Sequence, residues 1–264
     1  MWECIENGKR SIIKLDRCEN TLSIPMLNKN MSVIFPERKL YLDKVELKGN
    51  KTKYTDLVVV LPCCGVTIQE LSFKGIDIEN ITIHNSSKLR NTSISKINVS
   101  EVTADTINIS GVDYNVLLHM LNNIGKVRNI NLDIKDYRVK YRRKELNLSK
   151  NSYENININM TDPKNIVLLE NVVLDMSKLK EINIERGTLK TNTLIIKATQ
   201  CNKKALHNIT KLVNVGGLCH EDTQCFISTK LLDPNKYKRV TGLNGADYIV
   251  TNIDEIKRNE VSPS

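Results

Sequence analysis

The sequence predicts a β-rich α/β solenoid, in which short repeats stack and place parallel strands side by side. One observation is an apolar-x-x-apolar-x-apolar pattern that returns at a nearly constant interval, as repeat architectures require. A second is composition, because the 40% hydrophobic share includes only 5% aromatic residues, so Ile, Leu and Val must form most of the core. The branched residues among these favour strands.

The repeat is regular in four of its five steps. Copies start at residues 42, 68, 94, 127, 153 and 179, which gives steps of 26, 26, 33, 26 and 26. The last two copies, 153–158 and 179–184, read Tyr-Glu-Asn-Ile-Asn-Ile and Leu-Lys-Glu-Ile-Asn-Ile. Because strand side chains alternate, the final two apolar positions of each copy share one face. Stacked copies therefore predict a parallel sheet.

Three parts of the chain follow from this spacing. Residues 1–41 do not fit the repeat and are interrupted by Pro25 and Pro36, which predicts an N-terminal cap. Residues 42–208 form the solenoid, and residues 209–264 form a C-terminal cap and tail that include a short strand ending at Val250. A repeat buries its apolar face only against its neighbours, so we expect one cooperative domain.

The single long step predicts a helical insertion near residues 111–125. Its apolar residues recur at helical spacing and the segment ends at a glycine. They are Val116, Leu117, Met120, Leu121 and Ile124. His119 lies among them and is interpreted as a packing residue. Elsewhere the second apolar segment of each repeat reads as a strand, so the back of the solenoid is predicted to be β-rich.

The pattern resembles the leucine-rich repeat family, whose signature is L-x-x-L-x-L-x-x-N. Segments 127–132 and 179–184 carry the resemblance, which covers roughly residues 42–200. It implies a parallel sheet on a concave face and ligand binding there. Only the first copy has the closing asparagine, Asn50, so a right-handed β-helix is the alternative fold. At the equivalent positions the other copies have Ile76, Val102, Lys135, Thr161 and Gly187.

If the resemblance holds, two outward positions of each copy line the concave face. They supply the candidate partner-binding residues Lys48, Lys74, Asn98, Asn131, Asp133, Asn157, Asn183 and Glu185. The asparagines predict one polar row, either as a ladder of amides that stabilises neighbouring strands or as a recognition surface. The charged positions run from basic to acidic and would orient a dipolar partner.

The leading functional prediction is a non-enzymatic scaffold that binds another protein through the concave sheet. The sequence has no phosphate-binding loop ending in Lys-Ser/Thr, no Gly-x-Ser-x-Gly turn and no His-Glu-x-x-His helix. We therefore expect no catalytic residues, cofactor or metal.

A nucleic-acid or ribonucleoprotein component is the alternative function. The chain carries 39 Lys and Arg against 30 Asp and Glu, a formal charge of +9 that would attract phosphates if it were concentrated. The densest basic residues are Lys140, Arg142, Arg143, Lys144, Lys236, Lys238 and Arg239.

A secreted glycosylated β-helix that binds carbohydrate or acts as an adhesin is a further alternative. Ten Asn-X-Ser/Thr sequons favour it, although a chain so rich in Asn, Ile and Lys produces sequons by chance. No signal peptide or transmembrane segment is recognised, so the compartment is left open, and secretion requires that Met1 be an added start. Seven cysteines leave both disulfide-linked caps and reduced thiols open.

Overall fold

The chain divides into two compact units, residues 1–135 with 151–153 and residues 136–150 with 154–264. The expected boundaries after residues 41 and 208 do not coincide with this division. The computed structural model describes residues 2–15, 19–62, 65–85, 93–134, 145–147, 154–160, 166–175, 181–186, 188–197, 224–228, 238–242 and 246–251.

Strands dominate the first unit. In chain order they are β1 (Trp2–Asn7), β2 (Arg10–Leu15), β3 (Thr21–Pro25), β4 (Asn30–Ile34), β5 (Leu40–Lys48), β6 (Lys53–Leu61), β7 (Val66–Lys74), β8 (Ile76–Asn85), β9 (Ser93–Ile94), β10 (Ile97–Asn98), β11 (Val102–Val112) and β12 (Lys126–Ile134). Consecutive strands from β2 to β8 belong alternately to two sheets. The first sheet has the order β1-β2-β4-β6-β8-β11-β12, and in the second β3, β5 and β7 are followed by β9 and β10.

Each coil of the first unit therefore contributes one strand to each sheet, and the coils stack to form a β-solenoid. All neighbouring strands in these two sheets are parallel except β1 and β2. In the second sheet Leu42 pairs with Ile68, and Ile68 pairs with Ile94, at the predicted interval of 26 residues. The predicted solenoid with a parallel sheet is thus confirmed.

The apolar pattern occurs in both sheets, so each complete coil contains it twice. In β5 the side chains of Leu42, Val45 and Leu47 are buried, and the two residues after Leu42 both face outward. The same order of buried and outward positions occurs in β6, β8, β11 and β12 of the first sheet. Two consecutive outward residues interrupt strict alternation, which requires the strand to bend around the core at that point.

The long 33-residue step has a different origin from the one predicted. Ile94 pairs with Ile68 in the second sheet, whereas Val127 pairs with Ala104 in the first sheet. The step therefore crosses from one sheet to the other, and is not an insertion within one row. Within the first sheet Ile107 pairs with Ile81 and with Ile130.

The predicted helix is confirmed as α1 (Tyr114–Asn122), between β11 and β12. Asp113 caps it, since its Oδ1 accepts a hydrogen bond of 2.8 Å from the backbone N–H of Asn115. Its apolar side chains are buried, but His119 is exposed, so the interpretation of His119 as a packing residue is wrong. No helix in the described ranges is long and apolar enough to cross a membrane.

Stacking begins well before the predicted boundary at Leu42. β2, β3 and β4 already pair in parallel with later strands, so most of the expected N-terminal cap belongs to the solenoid. The 26-residue interval does not reveal these coils because they are shorter. Ser11 pairs with Met31, and Leu22 pairs with Val45. Among the four N-terminal strands β1 to β4, only β1 pairs antiparallel with its neighbour, and it covers the outer edge of β2.

The second unit shows a similar parallel pairing. Its strands are β13 (Glu145–Asn147), β14 (Asn155–Met160), β15 (Ile166–Asp175), β16 (Glu181–Arg186), β17 (Thr188–Lys197), β18 (Gln224–Ser228), β19 (Lys238–Gly242) and β20 (Ala246–Thr251). β14 pairs with β16 in the predicted register, Ile156 with Ile182. β13, β15, β17 and β18 form a second parallel set, so stacking extends past residue 208. The antiparallel pair β19 and β20 follows it and includes the predicted short strand.

A comparison of two glycines tests how closely the coils pack. Gly75 and Gly111 both have positive φ, +60° and +71°, which L-residues adopt at a cost of roughly 1–2 kcal/mol. A Cβ on Gly75 would meet open space, whereas one on Gly111 would overlap the backbone oxygen of Asn85. We expect Gly75→Ala to lower the free energy of unfolding by about 1–2 kcal/mol and Gly111→Ala to lower it clearly more, as measured by urea denaturation. Equal losses would contradict this close approach between β8 and β11.

Candidate functional site

The candidate partner-binding residues of the first unit lie in two different sheets. Lys48, Lys74 and Asn98 belong to β5, β7 and β10 of the second sheet. Asn131 and Asp133 belong to β12 of the first sheet. The prediction of one continuous asparagine row is therefore wrong, because the step between the copies at 94 and 127 changes sheets.

In the second unit, Asn157 pairs with Asn183 across β14 and β16, as the spacing predicts. Glu185 also lies within β16, but the structure describes only the backbone of Asn183 and Glu185. Their proposed contacts with a partner stay predictions.

The second sheet carries a strongly charged outer surface, which we term the lysine face. It is built on β5, β7 and the stretch 96–100, where the buried Ser72 lies among outward residues. Its members are Lys44, Glu46, Lys48, Glu70, Ser72, Lys74, Lys96, Asn98 and Ser100. With the exposed Asp43 of β5, four lysines face three carboxylates, so this face has one excess positive charge, which favours an anionic partner.

Ion pairs connect charged residues within and between coils of the lysine face. The carboxylate of Glu46 lies 3.0 Å from Nζ of Lys44 and 2.9 Å from Nζ of Lys48. Lys96 reaches back to Glu70 on the preceding coil at 3.3 Å. Lys74 makes no ion pair with any residue that the structure describes, and it is directly beside Lys48 in the strand register.

The two lysines alter the acidity of Glu46. Hydrogen bonds from Lys48 and Lys44 lower the pKa of Glu46 from its ordinary value of 4.5 to about 2, although partial burial acts in the opposite direction. The hydrogen bond with Glu46 raises the pKa of Lys44. The Glu46 carboxylate therefore stays ionised through the acidic range in which an ordinary glutamate is protonated.

Asn98 makes local contacts on the lysine face. Its Oδ1 accepts hydrogen bonds from the backbone N–H and the hydroxyl of Ser100, at 3.1 and 2.8 Å. Its nearest neighbour in the register is Ser72, which is buried. These contacts fix the end of β10 and do not connect Asn98 to another asparagine.

The first sheet carries a second polar surface, which we term the polar face. It consists of nine outward residues of β8, β11 and β12, and the same strands also present Asp77, Glu79, Asp105, Lys126 and Arg128 outward. In register the nine are Asn80, Thr106 and Asn129, then Thr82, Asn108 and Asn131, then His84, Ser110 and Asp133. Sequence reasoning named only Asn131 and Asp133 here. The second copy of the apolar pattern in each coil could have located the other seven.

Side-chain hydrogen bonds connect neighbouring coils on the polar face. The amide of Asn131 donates to Oδ1 of Asn108 at 2.7 Å, so this pair is one link of the kind expected for an amide ladder. Nδ1 of His84 lies 2.8 Å from the hydroxyl of Ser110. Asp133 is next to Ser110, and the strand β11 separates it from His84. The carboxylate therefore does not orient the imidazole as a Ser-His-Asp triad requires.

The basic residues of the nucleic-acid prediction fall largely outside the described ranges. Lys140, Arg142, Arg143, Lys144 and Lys236 lie outside them, and Lys238 and Arg239 are described only as backbone of β19. Nucleic-acid binding by these residues stays a prediction. In the described part of the chain no three His, Cys, Asp or Glu residues are grouped as metal ligands, and Cys4 is an exposed free thiol.

Comparison with known proteins finds no match for this chain. No protein-family model, no curated protein and no solved structure matches it. The functional argument therefore depends on the sequence and on the two surfaces described above.

The pKa of Glu46 predicts how stability depends on pH. Because the folded state holds this pKa below 4.5, the Glu46 ion pairs stabilise the protein above about pH 4.5, and this contribution is lost as the pH falls towards 2. In urea denaturation we expect Glu46→Gln to be less stable than the wild type near neutral pH and to match it near pH 2.

The matched control replaces both partners of Glu46. In a background of Lys44→Met and Lys48→Met, the change Glu46→Gln should have little pH-dependent effect, because the interaction has already been removed. A stability difference between wild type and Glu46→Gln that stays constant over this pH range would disprove the role of the two lysines.

Proposed function

We propose that this chain is a non-enzymatic β-solenoid scaffold that binds a partner protein through the lysine face. The observation that carries the proposal is the set of ion pairs between three lysines and two glutamates on successive coils, with the unpaired Lys74 beside Lys48. A parallel sheet fixes the spacing of these side chains at about 4.8 Å between strands. A partner would therefore meet charged side chains that recur at a regular spacing from coil to coil.

Charge identifies the kind of partner. Exposed ion pairs contribute only about 0–1 kcal/mol to stability, so the fold does not require this face to be so highly charged. The exposed ends of Lys48 and Lys74 lie side by side, and Lys74 has no counter-ion among the described residues. An acidic segment of a partner protein would supply the missing negative charge.

For the finer description of the fold we infer a β-helix arrangement. It is supported by the strands that run along both sheets of each coil, where leucine-rich repeats are expected to have one continuous sheet. The L-x-x-L-x-L resemblance supports the other description, in which the lysine face corresponds to the start of the predicted concave surface. Binding through an exposed sheet is common to both descriptions.

Charge reversal tests the binding surface. Double substitution Lys48→Glu and Lys74→Glu should weaken partner binding by roughly tenfold or more, because attraction is replaced by repulsion at two adjacent positions. Partners captured by the wild-type chain would be identified by mass spectrometry, and their affinity for each variant would then be measured with purified components.

Lys14→Glu is the matched control, since Lys14 is exposed on β2 of the other sheet. It should bind like the wild type. Equal binding by the double variant would remove the lysine face as the interface. Capture of RNA in place of protein, with an affinity that falls steeply with salt, would favour the nucleic-acid alternative.

A further inference from the structure

One side of the first unit begins with a basic stretch. It is formed by the segments that lead into β2, β4 and β6, which are residues 8–9, 26–29 and 49–52, together with the first residue of β6. These residues include Lys9, Lys29, Lys51 and Lys53 and no Asp or Glu. We term the four lysines the basic edge. All four are exposed, and none makes an ion pair with a residue that the structure describes.

The strand register makes these segments neighbours. Arg10 pairs with Asn30, so Lys9 and Lys29, which precede them, lie side by side. The amide of Asn30 donates a hydrogen bond to the Lys9 carbonyl at 3.4 Å, and the Lys29 carbonyl accepts one of 2.8 Å from the backbone N–H of Thr55 in β6. Neighbouring strands of a sheet lie about 4.8 Å apart. The basic edge is therefore a compact surface.

The segment before β6 is longer than those on the coils beside it. Two rows of the register run across these coils: Pro25, Lys48 and Lys74 form one, and Asn30, Asp56 and Asn80 form the other. From the first row to the second, the chain advances 8 positions between Lys48 and Asp56, against 5 on the coil before and 6 on the coil after. Because both rows stay in register, the extra residues must protrude from the stack.

Hydrogen bonds order this protruding loop and hold Lys51 in it. Oδ1 of Asn50 accepts hydrogen bonds from the backbone N–H of Thr52 at 3.2 Å, from its hydroxyl at 2.6 Å and from the hydroxyl of the buried Tyr54 at 2.6 Å. Lys51 has a φ of +69°, and no other non-glycine residue in the described ranges has a positive φ. Glycine adopts this conformation without a steric cost, so the fold alone does not favour a lysine here. Residues kept in such a conformation concentrate at functional sites.

The next two coils limit the length of a bound anion. The segments that lead into β8 and β11 and the first residues of these strands, 75–79 and 99–105, contain no Lys or Arg. They carry Asp77, Glu79, Glu101 and Asp105, of which Asp105 pairs with Arg128 of β12. A long polyanion that ran along this side of the stack would be repelled there, since like charges oppose binding. A short acidic segment meets only the lysines.

Leu27 adds an apolar contact to the basic edge. It lies two residues before Lys29, and its 44% exposure makes it one of two large apolar side chains exposed in the described ranges. Lys48, at the end of the lysine face, directly precedes the loop that holds Lys51. We propose that the acidic protein segment that binds the lysine face continues onto the basic edge and packs an apolar side chain on Leu27. This inference rests on the proposed function, because one segment occupies both surfaces.

A model peptide tests the basic edge. The probe is a fluorescein-labelled peptide of glutamates with a central leucine, titrated with the full chain at low salt and followed by fluorescence anisotropy. The wild type should bind it, and the double variant Lys29→Gln and Lys51→Asn should bind roughly tenfold more weakly, because two unpaired charges are lost. Asn tolerates a positive φ, so this variant should keep the melting temperature of the wild type. Lys126→Gln, beyond the acidic coils, is the control and should bind like the wild type.

Leu27→Ser tests the apolar contact. It should weaken binding of the leucine-containing peptide and leave binding of an all-glutamate peptide unchanged. The inference fails if the wild type does not bind the peptide, if either variant binds it as tightly as the wild type, or if an RNA of equal charge binds more tightly. A lower melting temperature of the double variant would show that Lys51 serves the fold, and would also overturn it.

The proposed function fails separately. Its test is the affinity of the captured partner for the Lys48→Glu and Lys74→Glu variant. If that variant loses the partner while the Lys29→Gln and Lys51→Asn variant keeps it, the lysine face stands and this inference falls. If the second variant alone loses the partner, the interface lies on the basic edge and the proposed function falls.

Discussion

In-register stacking of aliphatic side chains is the interaction on which the first unit depends. Ile81 lies between Leu57 and Ile107 in neighbouring strands, and all three side chains are fully buried. Buried Val, Leu and Ile side chains each contribute about 1.5–3 kcal/mol when removed from water. A slip of one residue would turn every such side chain outward. The register therefore determines which residues become surface, and both faces discussed above follow from it.

The repeat, the parallel pairing and the helix were predictable from the sequence because each produces a periodic spacing of apolar residues. Leu42, Ile68 and Ile94 lie in one row, as their 26-residue spacing indicates. Spacing alone could not show that each coil passes through two sheets, because both strands carry the same apolar order. This ambiguity is the reason that Asn98 and Asn131 were assigned to one row. The coils before Leu42 were not predicted because their paired positions are fewer than 26 residues apart.

The candidate site was predictable only in part. Alternation correctly placed Lys48, Lys74 and Asp133 on outer surfaces. Ion pairing depends on rotamers and on which strand is adjacent, so the link from Lys96 to Glu70 required the structure. Neither Thr82 nor Ser110 stands out in sequence, since isolated hydroxyl residues are common on exposed strands.

The coils of the first unit differ in length, yet the rows of core residues stay aligned. Paired positions are 20 residues apart between β2 and β4, 26 between β4 and β6, and 24 between β6 and β8. The difference is accommodated between the paired segments, where the chain passes from one sheet to the other. New sequence can therefore accumulate at these crossings during evolution without disturbing the core. The segments that connect the two sheets can therefore vary in sequence and length while the strands of both sheets keep their spacing.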